Sequence, residues 1–166
     1  MVNILVRWLI FLHILSALTF FLAHGTSAAM AFKVRKETEL ARIRAMLDLS
    51  ESTIEIVFVS FLGLLLSGVV LSFLLRVWNK GWVWTSLLLM IFVFIWMVWM
   101  NEQAYKNLRK LVGLPYRQGS KEYPAQPPAS MEEVTAQLKK LSVKGLVMVG
   151  YVIPSIVLWL MIFKPF

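Results

Sequence analysis

Four long apolar stretches alternate with polar segments along this chain of 166 residues. They cover residues 8–32, 54–75, 83–100 and 145–163. Each is close to or above the length of about 20 residues that a helix needs to cross a bilayer. The pattern predicts an all-α, polytopic membrane protein with four transmembrane helices in an antiparallel bundle. Because too little chain remains for a separate soluble domain, we expect residues 1–166 to form a single domain.

The polar connection after the first stretch, residues 33–53, has a helical pattern of its own. Its apolar side chains recur every three or four residues, at Leu40, Ile43, Met46 and Leu47. We therefore expect the first helix to continue past the membrane, through residues 33–49, as an amphipathic extension. Ser52 and Glu55 then match the S-x-x-E pattern of a capping box, which predicts that the second membrane helix starts there.

The second long connection, residues 101–144, begins as a continuation of the third membrane helix. We expect this helix to run on to Leu111 and to end before Pro115, since a proline disfavours helix in the residue that precedes it. The stretch 116–129 contains three further prolines, Pro124, Pro127 and Pro128. This composition predicts a mobile linker.

A second capping box follows the linker. Ser130 and Glu133 match the S-x-x-E pattern, which predicts a further helix at the membrane surface or leading into the fourth span. Within that span Pro154 lacks a backbone N–H, so it is expected to bend the helix.

Charge predicts the orientation of the chain, whose formal net charge is +8. Thirteen of the 17 basic residues and all nine acidic ones lie between Lys33 and Lys144. The other four basic residues are Arg7, Arg76, Lys80 and Lys164. The positive-inside rule then predicts that connections 33–53 and 101–144 are cytoplasmic and that both termini lie outside a bacterial inner membrane. The mixed charge is compatible with anionic lipid headgroups, and no nucleic-acid partner is expected.

Several kinds of chemistry are excluded by the composition. The chain has no cysteine, which rules out disulfides, thiolate metal sites, c-type haem attachment and cysteine nucleophiles. It also has no glycine-rich phosphate loop, no G-x-S-x-G and no His-x-x-x-His. No catalytic residue is predicted.

Both histidines of the chain, His13 and His24, lie in the first apolar stretch. Eleven residues of helix turn through about 1100°, so the two rings lie on one face, about 16 Å apart along the axis. An ionisable side chain inside a membrane is a candidate functional residue. The second stretch carries small residues at Ser60, Gly63 and Ser67, and this match predicts that the two helices pack together.

Three interpretations of this histidine face stay open. Each imidazole can hydrogen-bond a serine, a threonine or a carbonyl group across the helix interface. Alternatively, an imidazole can ligate haem b, with a methionine or a second copy of the chain supplying the other axial ligand. Copper bound by imidazole and thioether is the third interpretation. The candidate additional ligands are Met90, Met97 and Met148.

Three short segments carry a family resemblance: residues 13–17 (HILSA), 23–25 (AHG) and 42–50 (RIRAMLDLS). They resemble a bacterial family of small predicted integral-membrane proteins of unknown function, which are similar to the membrane part of copper resistance protein D. His13 and Gly25 match the histidine and the glycine of that family's first span. The resemblance implies a four-helix membrane unit and the handling of a metal or haem.

Two functions are therefore predicted as alternatives. In the first, the protein binds haem, a metal or another small ligand at the face formed by His13 and His24, in the service of electron transfer. In the second, it is a non-catalytic structural or accessory subunit of a larger membrane complex, or a homodimer, with the cytoplasmic helices and the linker as its contact surface.

Overall fold

The computed structural model describes residues 4–118 and 121–166, which are mostly helical. The eight α-helices of this part are α1 (Ile4–Val34), α2 (Leu40–Ser52), α3 (Ile54–Leu74), α4 (Gly81–Met100), α5 (Lys106–Leu111), α6 (Met131–Lys139), α7 (Val143–Val147) and α8 (Ile153–Phe163). A π-helix, π1 (Asn101–Tyr105), joins α4 to α5, and another, π2 (Met148–Val152), joins α7 to α8. Strands β1 (Tyr116–Gln118) and β2 (Lys121–Tyr123) pair antiparallel.

Within the described residues, four helical stretches are long and apolar enough to cross a membrane. They are Ile4–Val34, Leu40–Leu74, Gly81–Leu111 and Val143–Phe163. Each overlaps one of the predicted apolar segments, which extends beyond the helix only at Leu75, so the number and the positions of the candidate spans are confirmed. Four such helices are the mark of a multi-pass membrane protein.

The predicted extension of the first helix through residues 33–49 is wrong. Helix α1 ends at Val34, and the chain turns before α2 begins at Leu40. In that turn the Glu37 carboxylate accepts hydrogen bonds from the Thr38 and Glu39 amides, at 2.9 and 3.1 Å. These bonds satisfy backbone groups outside a helix, which favours the turn over a continuous helix.

Helix α2 folds back so that its apolar side packs on the end of α1. Ile43 and Leu47 lie in one buried cluster with Ala31 and Val34 of α1. The amphipathic pattern was therefore recognised correctly, but its apolar face covers α1 instead of extending it.

The capping box predicted at Ser52 and Glu55 is absent. The Ser52 hydroxyl donates to the Leu49 carbonyl at 2.8 Å, and α3 starts without a side-chain cap. The residue before α3 is Thr53, whose backbone is helical (φ −86°, ψ −13°) and whose amide donates to the Ser50 carbonyl at 3.3 Å. Helices α2 and α3 are therefore nearly continuous, whereas a side-chain cap requires a residue with extended backbone before the helix.

The second connection contains more secondary structure than the sequence predicted. The third span does run on to Leu111, as expected, through π1 and α5. The stretch 116–129 then contains the β1–β2 hairpin, in which the rings of Tyr116 and Tyr123 stack at 5.2 Å. Beyond it the Ala129 amide donates to the Leu111 carbonyl at 2.8 Å and holds the proline-rich segment against α5.

The serine half of the capping box predicted at Ser130 and Glu133 is confirmed, whereas the Glu133 carboxylate accepts from the Ser130 hydroxyl at 3.3 Å instead of from the Ser130 amide. The Ser130 hydroxyl accepts from the Glu133 amide at 3.3 Å, and α6 starts at the next residue. Helix α6 ends before the fourth span, which begins with α7 after a second serine cap at Ser142. Pro154, which was expected to bend this span, lies at the start of α8, directly after π2. The span changes from π-helix to α-helix next to this proline.

Buried side chains form three clusters along the length of the helices. One cluster packs α2, α5 and α6 against the ends of α1, α4 and α7. A second lies among α1, α3, α4 and the fourth span, where the rings of Phe61 and Phe94 stack at 4.5 Å. The third is a small group at the other end, around Trp82 and Leu160. We call α2, α5, the β1–β2 hairpin and α6 the cap, because they cover one end of the four spans.

Candidate site at the two histidines

The face of α1 that carries the histidines packs closely on α3. A Cβ atom at Gly63 would lie 2.7 Å from the Ser16 hydroxyl oxygen, so only a glycine permits this approach. Nearer the cap, the Ser27 and Thr53 hydroxyl oxygens are 2.6 Å apart. The predicted pairing of the first and second membrane helices through small residues is therefore confirmed, and these two helices run in opposite directions.

His13 lies in this interface. Its Nδ1 is 3.0 Å from the Ser67 hydroxyl oxygen, and its Cε1 lies where a Cβ atom at Gly68 would be only 3.0 Å away. The single Ser67 hydroxyl proton points to the Gly63 carbonyl at 2.5 Å. The hydroxyl oxygen consequently accepts from His13, and Nδ1 carries the imidazole proton.

His24 contacts a different helix. It is 5% exposed, and its Nε2 donates to the Val149 carbonyl of π2 at 3.1 Å. In π2 the amide of each residue pairs with the carbonyl five residues earlier, as the Ile153 amide does with Met148. The next amide in that series would belong to Pro154, which has no N–H. His24 therefore supplies the hydrogen bond that Pro154 cannot give to Val149.

The other ring nitrogen of His24 is buried and lacks a hydrogen-bond partner. Since Nε2 must hold a proton to donate to a carbonyl, Nδ1 of the neutral ring presents a lone pair. The ring also stacks on Phe20, with centroids 5.3 Å apart and planes at 7°. Nδ1 of His24 is thus a buried atom of this site with unused capacity to bind.

The candidate methionine ligands lie in different environments. Met90 is buried in the same cluster as Phe20 and Val149, the two residues that contact His24. Met97 packs at the edge of that cluster, whereas Met148 is 47% exposed on the outer surface of π2. Across residues 4–118 and 121–166, no three His, Asp or Glu side chains come together as a metal site.

The two histidines do not converge on one site. His13 binds α3 and His24 binds π2, so the shared helix face predicted from their spacing serves two separate contacts. The sequence reasoning missed the partner of His24, although the signal was present. A proline inside a span leaves a carbonyl four or five residues earlier without a donor, and a histidine is one of the few donors available in an apolar helix.

A second polar arrangement, in the cap, was also not foreseen. The Arg109 guanidinium lies 2.9 Å from Asp48 and 2.6 Å from Glu51, and its Nε donates to the Pro115 carbonyl at 2.8 Å. Its side chain is only 13% exposed. Arg109 therefore joins α5 to α2. Sequence spacing contains no signal for this contact, because the partners lie about 60 residues apart in the chain.

Comparison with known proteins adds no assignment to this geometry. No family model matches the sequence, and neither the curated proteins nor the solved structures contain a match. The family resemblance of residues 13–50 stays a prediction, as does the assignment of His13 and His24 as ligands.

Proposed function

We propose that this protein is a non-catalytic accessory subunit of a larger membrane assembly. One observation carries the proposal: both histidines direct a ring nitrogen to a neighbouring helix, His13 to Ser67 and His24 to Val149. These hydrogen bonds link α1 to α3 and to the fourth span. The polar groups of the first helix thus stabilise helix packing, which is the function of such groups in a scaffold.

The proposal includes the predicted topology. The four spans form an antiparallel bundle in a bacterial inner membrane, with both termini outside and the cap in the cytoplasm. The excess of basic residues in connections 33–53 and 101–144 supports this orientation.

The cap supplies the contact surface in this proposal. Its apolar side chains are buried, with Ile43, Leu108, Val134 and Leu138 at most 1% exposed. Arg109 holds α5 on α2 by charged contacts at two carboxylates. A packed cap of this kind offers a partner subunit a fixed, charged surface, whereas a mobile linker would have to be ordered upon binding.

Purification of the full chain from its native membrane in mild detergent tests this proposal. We expect a colourless, metal-free protein that copurifies with other membrane subunits at fixed stoichiometry. A Soret band in the oxidised and reduced absorption spectra that is lost in His13→Ala or His24→Ala would contradict the proposal and support a haem site. A protein that elutes alone would contradict the subunit assignment.

A second candidate function, copper binding, is favoured by the free nitrogen of His24. Nδ1 is buried and unpartnered, and the thioether of Met90 belongs to the same buried cluster. One imidazole and one thioether suit copper(I). A porphyrin would have to displace packed residues such as Phe20 and Val93, which are fully buried. The structure therefore favours a single ion over haem b as the alternative ligand.

Titration with copper(I) distinguishes the two functions. The copper alternative predicts one bound ion per chain, lost in both His24→Ala and Met90→Leu but retained in Met148→Leu, because Met148 is 47% exposed and lies outside the buried cluster that contains Met90. Equal copper uptake by all variants would exclude His24 as the ligand.

A further inference from the structure

The basic side chains on the cap side of the molecule divide into two groups. Arg42, Lys106, Arg109 and Arg117 each form an ion pair with a carboxylate, and Arg44 donates to the Val112 carbonyl. Within the described residues, eight others on this side have no acidic group within ion-pair distance. Six of the eight fall in two short runs: Lys33, Arg35 and Lys36, and Lys139, Lys140 and Lys144.

The fold brings these two runs to the same place. The first surrounds the end of α1, and the second surrounds the start of α7. Ala31 and Val34 of α1 share a buried cluster with Leu141 and Leu146, which flank the second run. Two basic segments more than 100 residues apart in sequence therefore lie side by side at one end of the spans.

Their position along the helices is that of lipid headgroups. Helix α1 is a candidate span that ends at Val34, and the fourth candidate span begins at Val143. The five lysines are exposed, and Arg35 is half-buried. Nε of Arg35 is buried without a hydrogen-bond partner, which leaves a donor unsatisfied within the basic group.

Acidic groups do not neutralise this cluster. The carboxylate closest to it in sequence, Glu37, accepts the amides of Glu39 and Thr38, and these bonds lower the pKa of Glu37. That carboxylate therefore stays ionised but is directed at the backbone. Glu132 and Glu133 lie in the first turn of α6, at the end of that helix opposite Lys139. Glu37 also attracts Lys33 electrostatically, and so it offsets part of the charge of the cluster.

We propose that this basic cluster binds the headgroup of an anionic phospholipid at the junction of α1 and α7. The phosphodiester accepts from the exposed lysines, next to the half-buried guanidinium of Arg35, while the acyl chains lie along the apolar surfaces of the two helices. Basic groups between membrane helices at the headgroup level are suited to this recognition. The site does not depend on whether the protein is an accessory subunit or a copper-binding protein.

Native mass spectrometry of the full chain in detergent tests the proposal with two probes, dioleoyl phosphatidylglycerol and dioleoyl phosphatidylcholine. The test variant combines Lys33→Gln with Lys144→Gln, one from each run. Its matched control combines Lys110→Gln with Lys121→Gln, which removes the same charge at two other unpaired lysines. At about fivefold in affinity per basic residue near the headgroup, the test variant should bind phosphatidylglycerol about 30-fold more weakly.

We expect the wild-type chain to bind phosphatidylglycerol more tightly than phosphatidylcholine and the control variant to keep this preference. Lys36→Gln combined with Lys140→Gln provides an independent second test and should behave like the first. An equal loss of affinity for phosphatidylglycerol in the test and control variants would show that binding depends on overall charge, and it would contradict the proposed site. Equal affinity of the wild-type chain for the two lipids would overturn it as well.

Discussion

The cap and the four spans of this protein differ in which side chains they bury and which they expose. In the cap, apolar side chains such as Leu138 are buried and most charged ones are exposed, with Arg109 at 13% as an exception. In the spans, many large apolar side chains also cover the outside, with Leu22 and Val59 each 73% exposed. The buried polar side chains of the described residues all belong to the spans: His24, Ser60, Ser67, Ser72 and Ser86.

This difference in burial reflects the solvent around each region, because water and lipid favour the burial of different side chains. In water, burying apolar surface drives packing, so the cap places its apolar face inward. In lipid there is no such gain, because the acyl chains are as apolar as leucine side chains. Spans therefore associate through close contact and hydrogen bonds, such as that between His13 and Ser67.

The largest difference in the free energy of unfolding is expected when a leucine is replaced by alanine once in the cap and, in a separate variant, once in a span. Leu138→Ala in the cap should lower the free energy of unfolding by about 2–5 kcal/mol, because a fully buried side chain leaves a cavity. Leu22→Ala should change it little, since that side chain faces lipid in both folded and unfolded spans. Unfolding by sodium dodecyl sulfate in mixed micelles, followed by circular dichroism, measures both. Similar losses would contradict the exposed, lipid-facing position of Leu22.

The next test concerns close packing within the spans. Gly63→Leu should destabilise the bundle by about 1–3 kcal/mol, because a side chain at Gly63 collides with Ser16. The matched substitution Gly25→Leu, where nothing lies within 4 Å of the added Cβ, should be tolerated. The same unfolding assay reads both changes. A tolerated Gly63→Leu would mean that α1 and α3 do not depend on this contact.

A double-mutant cycle tests the pairing of His24 with the carbonyl that Pro154 leaves free. His24→Phe keeps the stacking on Phe20 but leaves the Val149 carbonyl unpaired, at a cost of about 1–3 kcal/mol. In a Pro154→Ala background the restored backbone N–H can reach that carbonyl, so the same substitution should cost about 1 kcal/mol less. The free energies of unfolding of the wild-type chain, the two single variants and the double variant give the coupling energy between His24 and Pro154. Strictly additive effects would contradict the compensation.

The smallest effect is expected for the cap's ion pairs. Arg109→Gln should destabilise the cap by about 1–2 kcal/mol, a value reduced for the partial exposure of Asp48 and Glu51. Arg117→Gln, which breaks the exposed pair with Glu122, should have no measurable effect. Hydrogen–deuterium exchange of α2 and α5 reports local opening. Equal exchange rates of α2 and α5 in the two variants would show that Arg109 does not hold these helices together.

Local patterns predicted the elements whose causes are local. The candidate spans follow from runs of apolar residues. The start of α6 follows from the hydrogen bond that the Ser130 side chain accepts from the amide of Glu133, three residues later. The capping box at Ser52 is absent because α3 begins as a near-continuation of α2, with a helical backbone at Thr53 where a side-chain cap requires an extended one. The hairpin within residues 116–123 was missed because its short strands carry no clear alternation of apolar and polar residues.

Part of the histidine site was also predictable. The small residues on α3 correctly identified it as a partner of α1, since close approach requires small side chains at matching depths. The spacing of His13 and His24 indicated one face but not one site. A helix face is wide enough to contact two neighbours, and α1 lies against both α3 and π2.

The sequence by itself determined which segments are apolar enough for lipid and which are polar, because hydropathy is a property of each residue and its near neighbours. Tertiary structure decided the rest: that α2 folds back on α1, that Arg109 joins two distant helices, and that His24 serves the carbonyl left by Pro154. The last two outcomes depend on contacts between residues about 60 to 125 positions apart, and only the packed chain brings such residues within reach of one another. The first depends on the turn between α1 and α2, where the Glu37 carboxylate accepts from the Thr38 and Glu39 amides.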